Sequence, residues 1–88
     1  MQGTIISKLF GALGPYGFIR GEDGIDRFFV PSSLVGMEEA ARTEQFGAFD
    51  KLEVGNPVEF AHIGNVKGPR AMNIAIIRDG GVDLIDRE

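Results

Sequence analysis

The stretch GPYGFIRGEDGIDRFFVPSS, Gly14 to Ser33, constrains the fold more than any other part of this 88-residue chain. Two short apolar runs, YGFIR and DRFFV, flank GEDG, and its Asp23-Gly24 pair is a hairpin signal because glycine tolerates positive φ. Side chains alternate between the two faces of a strand. Tyr16 and Phe18 therefore share one face, Gly17 and Ile19 the other, and Phe28 and Phe29 point opposite ways. With Ile19 directed to the core, Tyr16, Phe18 and Phe28 form a cross-strand aromatic platform on the outer face. Gly17 then permits a tight bend or the close approach of another backbone. The plainer reading has all these rings packing a core that lacks tryptophan, but a period of two cannot bury Tyr16, Phe18, Ile19 and both phenylalanines on one side.

The remaining apolar runs are equally short. Thirteen glycines and four prolines punctuate them, which reads as an all-β domain of several short strands. The first strand, Thr4 to Phe10, is apolar on both faces, as expected in a closed or doubly covered sheet. The fourth runs from Val58 to Ile63 with Pro57 at its first position, and the fifth from Ala71 to Arg78. Between strands three and four only MEEAARTEQF has helical character, so a long loop or short helix is expected there. Five short antiparallel strands leave two open edges unless the sheet closes. The expected architecture is therefore a five-stranded antiparallel barrel of the OB type, with an SH3-like barrel as the alternative. Residues 1–78 form that domain. The tail, 79–88, opens on a turn signal and is expected to fray, the alternative being an extra strand or a dimer contact.

A chain of this length buries only about 60% of its unfolded surface, so one core is the limit. Without cysteine it has neither disulfides nor a Cys-based zinc site, which is compatible with a reducing compartment. The N-terminal MQGTIISKLFGALG fits neither a signal peptide nor a membrane span, and a cytoplasmic protein is the expectation. His62 has no second ligand at a matching spacing, and it reads as a rim residue near the end of its strand. Ser32 and Ser33 read as turn or capping residues, and Asp23 and Asp26 as solvated charges beside a hairpin. GNVKGPR lacks the spacing of a phosphate-cradling loop. No enzyme and no cofactor are expected. The net charge of −4 runs against a nucleic-acid partner, which usually demands excess Lys and Arg. Its distribution is uneven, however: from Phe60 to Arg78 the charges are Lys67, Arg70 and Arg78, with the acids before and after. Open rings beside such a rim suit the stacking of unpaired bases, worth about 1–3 kcal/mol per base.

At these residues the chain resembles a cold-shock domain, the small OB-fold module that binds single-stranded RNA and DNA. The resemblance runs from about Gly3 to Ile77. KLFG, Lys8 to Gly11, stands at the family's Lys-Trp-Phe-Asn, PYGFI at its Gly-Phe-Gly-Phe-Ile, and DRFFVPS at its Asp-x-Phe-Val-His-Phe-Ser. FDKLEVGNPVEF and GPRAMNI resemble its closing motifs. Position by position, the resemblance implies a nucleic-acid face of Lys8 and Phe10 on strand one, Tyr16 and Phe18 on strand two and Phe28 on strand three. It implies a further stacking ring at Phe49, and Lys67 and Arg70 on the rim. Leu9 stands where the family has its stacking Trp, Val30 in place of its His and Pro31 in place of a Phe. The loop from Val35 to Ala48 is longer than in short bacterial members and carries Glu38, Glu39 and Glu44. The implied function is single-stranded RNA or DNA binding of an RNA-chaperone or gene-expression-regulator type, by a monomer or homodimer without a membrane role. The alternative is a protein-interaction module that engages a protein partner through the acidic loop.

Overall fold

The computed structural model describes residues 1–65, 68–78 and 81–83. Strands β1 (Gln2–Gly11), β2 (Gly14–Gly21) and β3 (Asp26–Phe29) form an antiparallel meander. A single 3₁₀ turn at Pro31–Ser33 leads towards helix α1 (Arg42–Asp50), then β4 (Pro57–Asn65), β5 (Gly68–Arg78) and β6 (Gly81–Asp83). The order across the sheet is β3-β2-β1-β4-β5-β6, and a parallel contact between β3 and β5 at Phe28 and Arg70 closes the first five strands into a barrel. A bridge between Leu34 and Ile74 extends the closure. This is the five-stranded OB-type barrel expected from five short strands whose open edges demand closure, with β3 and β5 meeting in parallel at the seam.

Local chemistry sets the turns. Gly21 and Gly24 close the β2–β3 turn through the Gly24 N–H to the Gly21 carbonyl at 2.8 Å, with Gly24 at a φ of 82°. Ala12 and Leu13 join β1 to β2 between Gly11 and Gly14, and Gly14 has a φ of 119°. Ser33 accepts a 3.1 Å hydrogen bond from the Val30 N–H at the 3₁₀ turn, the capping role expected of it. Helix α1 begins later than the helical-looking segment does. Residues 37–41 form turns that bury Met37, and the Gln45 amide ties them to α1 by donating to the Met37 and Ala40 carbonyls.

The core gathers Ile5, Ile19, Phe29, Val58, Phe60 and Ile74 from all five barrel strands, with Leu34, Met37, Phe49 and Leu52 closing it from the β3–β4 connection. Ile19 and Phe29 are inside, as the alternation requires. Gly17 has its reason in two neighbours: a Cβ there would come within 2.6 Å of the Ser7 carbonyl oxygen on β1, the close backbone approach expected, and within 2.7 Å of the Phe29 ring. Residues 81–83 were expected to fray; instead they form the extra strand, β6, which pairs with β5 so that Ile77 stands opposite Val82. Pairing there satisfies backbone groups that β5 would otherwise leave open. Residues 79–80 and 84–88 of the tail lie outside the described residues. No helix among the described residues is long and apolar enough to cross a membrane.

Candidate functional site

Phe18 and Phe28 face each other across the β2–β3 ladder, and Tyr16 stands two residues before Phe18 on the same face. The three rings touch as a set. Their centroids are 6.2 Å (Tyr16–Phe18), 5.7 Å (Tyr16–Phe28) and 5.9 Å (Phe18–Phe28) apart, the Phe18 ring standing edge-on to both neighbours. All three are half-buried, as expected of rings that cover part of one another while leaving the outer side open. Barrel closure delivers the fourth member. The Arg70 guanidinium lies 5.2 Å from the Phe28 ring centroid, within cation–π range. Its Nε is buried without a hydrogen-bond partner, and Arg70 has no ion pair among the described residues.

The other expected site residues are placed differently. Strand β1 pairs with β2 so that Ser7 opposes Phe18, Lys8 opposes Gly17, Leu9 opposes Tyr16 and Phe10 opposes Pro15. Opposed residues share a face. Lys8 and Phe10 therefore lie on the face of Gly17 and Phe29, away from the ring trio, and Leu9, 42% exposed, is the β1 residue beside Tyr16. Lys8 plays a structural part, since its Nζ donates to the Leu52 carbonyl at 2.6 Å and lies 5.1 Å from the Phe49 ring centroid. A cation there complements the carbonyls at the end of α1. Phe10 is 80% exposed, but on the side of α1. Phe49 is a core residue, 3% exposed with its ring 5.7 Å from Phe29, because α1 packs its last turn onto the barrel. Lys67 lies outside the described residues.

Beside Tyr16 and Phe28, on the side of the β1–β2 turn, is a shallow apolar hollow of about 390 Å³, walled by these two rings with Leu13, Pro15 and Val30. None of its described lining residues is acidic. A wider hollow of about 550 Å³ at the other end of β1 and β2, near Gln2, Thr4, Arg20 and Glu22, contains no ring.

One charged cluster was not anticipated from the sequence. Arg27 follows the inward phase of Phe29 and is 2% exposed, yet it is fully partnered. Its guanidinium holds the Asp23 carboxylate at 2.7 and 3.0 Å, donates to the Ile25 carbonyl, and directs Nε to His62 Nδ1 at 2.6 Å. The Phe60 ring lies beneath it, 5.3 Å away. Asp23 is thus a structural partner rather than merely a solvated charge, and the Arg27 hydrogen bond holds its carboxyl well below the usual carboxylate range, with the Ile25 N–H helping. Asp26 is likewise lowered by its hydrogen bond to Arg20. The signal available in the sequence was parity: Arg27 has the same phase as Phe29.

No family model matches the chain. It is 35% identical to the cold shock-like protein CspC of Bacillus cereus over 74 residues, which cover 84% of this chain and 95% of that protein. It is 37% identical to cold shock protein 1 of Lactiplantibacillus plantarum over 73 residues, covering 83% and 92% respectively.

Proposed function

The chain belongs to the cold-shock protein family, and we propose that it binds single-stranded RNA or DNA by stacking unpaired bases on Tyr16, Phe18 and Phe28. The observation that carries this reading is the ring trio on the outer barrel face with an unpaired arginine against one ring. Aromatic faces accept any unpaired base, while a guanidinium without a carboxylate partner is free to meet phosphate oxygens. Leu9 flanks Tyr16 as an apolar wall without a ring face. No bond is made or broken. Capture of unpaired segments shifts an RNA away from secondary structure, and a duplex, whose bases have no free faces, is bound poorly. This gives the protein an RNA-chaperone or gene-regulatory role.

The test is fluorescence anisotropy of a labelled oligo-dT and a matched duplex, titrated with wild type and Phe18→Ala. The expected result is binding of the single strand only, weakened by about 1–3 kcal/mol in the variant. Equal binding of duplex and single strand, or an unaffected variant, would overturn the stacking mechanism. Failure to bind either would direct attention to a protein partner, with the exposed Glu38 and Glu39 as its contacts.

A further inference from the structure

Helix α1 carries two side chains that the barrel does not use. Arg42 and Phe46 stand four residues apart, on one helix face, with the guanidinium 5.4 Å from the ring centroid. Arg42 is exposed and has no ion-pair partner among the described residues. Phe46 is 37% exposed, whereas Ala48 and Phe49 of the same helix are buried. The pair looks across at the β1–β2 hairpin tip, where a Cβ on Gly14 would meet the Phe46 ring at 3.9 Å. Between them lies a groove of about 310 Å³, walled by Leu13, Pro15 and Val30. The same three residues wall the hollow that holds Tyr16 and Phe28. One uninterrupted surface therefore runs from the ring trio, past the hairpin tip, to α1.

We propose that this groove is an additional nucleotide subsite: a single strand leaving Tyr16 and Phe28 passes Leu13, Pro15 and Val30 and sets one more base against Phe46, with its phosphate on Arg42. The inference rests on the nucleic-acid reading above. Three features favour this occupant. The groove is continuous with the trio. Its cation is planar, unpaired and stacked on a ring, so it presents phosphate donors beside a base-sized apolar surface. No acidic residue lines the groove among the described residues, so nothing on its walls repels a phosphate. Beyond Phe46 the surface changes sign, since Asp50 lines the next hollow together with Phe10. The phosphate is accordingly placed at the Arg42 end, and the strand's path stops short of Asp50.

The experiment is a length series of oligo-dT, from about four to ten nucleotides, titrated by anisotropy with wild type, Phe46→Ala and Arg42→Gln. Both residues are on the surface, and unchanged circular-dichroism melts verify the variants' folds. Phe46→Ala is expected to weaken the long oligonucleotides about five- to tenfold while the shortest binds as it does to wild type. Arg42→Gln is expected to lower the salt slope of the long oligonucleotides by about 0.7. Variants that match wild type at every length overturn the subsite and leave the platform standing. Equal losses on short and long oligonucleotides overturn it too, since the residues would then act on the trio itself. A wild type that binds no oligonucleotide overturns both readings.

Discussion

A buried guanidinium has to be neutralised and hydrogen-bonded, and Arg27 satisfies this through a loop residue four positions earlier in the chain. The hairpin turn thereby becomes part of the barrel's closure: Asp23 shapes the turn by accepting from the Ile25 N–H at 3.1 Å and grips Arg27 with the same carboxylate. Its folded pKa lies below the unfolded one, so the stabilisation is complete above the unfolded carboxylate pKa of about 3.9 and is lost as pH falls through it towards the folded value. Thermal melts should show wild type losing stability from about pH 4 downwards. Asp23→Asn should melt lower at neutral pH and show a flatter acid limb. Parallel acid limbs in the two proteins would assign the acid sensitivity to other carboxylates.

Irregularity within the strands is what lets so short a sheet close. The β1 register shifts between Ile5 and Ser7, and the β4–β5 register shifts between Glu59 and Ala61, opposite Asn73. Such shifts bend a strand and increase its twist. Asn73, with a φ of 53°, is the described non-glycine residue in the left-handed region, which asparagine enters at less cost than most side chains. Replacing it by glycine should leave stability almost unchanged, whereas Asn73→Val should cost about 1–3 kcal/mol by chemical denaturation. Equal stability of the two variants would mean that the strand can relax to a regular register. The shift also explains His62: simple alternation from Val58 and Phe60 would direct it inward, but it is exposed and meets Arg27 at the rim.

For the whole molecule, a net charge of −4 and, among the described residues, one unpaired arginine beside the ring trio mean that the proposed binding would rest on stacking more than on phosphate neutralisation. With two phosphates held, at Arg70 and in the α1 groove, log Kd should change with log salt with a slope of only about 1.4. Anisotropy at several salt concentrations measures this directly. A slope near 4 would require cations beyond these two and would move the contact surface towards a more basic rim. Weak salt dependence is what the proposed mechanism requires of an acidic protein: the rings would have to supply affinity that repulsion does not cancel.

Side-chain alternation and turn chemistry, acting over a few residues, were enough to specify the strand pattern, the Asp23-Gly24 turn, the inward Ile19 and Phe29, and the shared face of Tyr16, Phe18 and Phe28. Family resemblance added the barrel's identity, while placing Lys8, Phe10 and Phe49 on the contact face. Tertiary packing put those three elsewhere: Lys8 serves the end of α1, Phe10 turns towards the helix side, Phe49 enters the core beside Phe29, and Leu9 takes the position next to Tyr16. Part of this was within reach, because a two-residue turn between Gly11 and Gly14 sets Leu9 opposite Tyr16. The rest depended on where α1 lands and on the parallel contact that brings Arg70 to Phe28, 42 residues away in sequence. Those are long-range packing outcomes, and no local pattern encodes them.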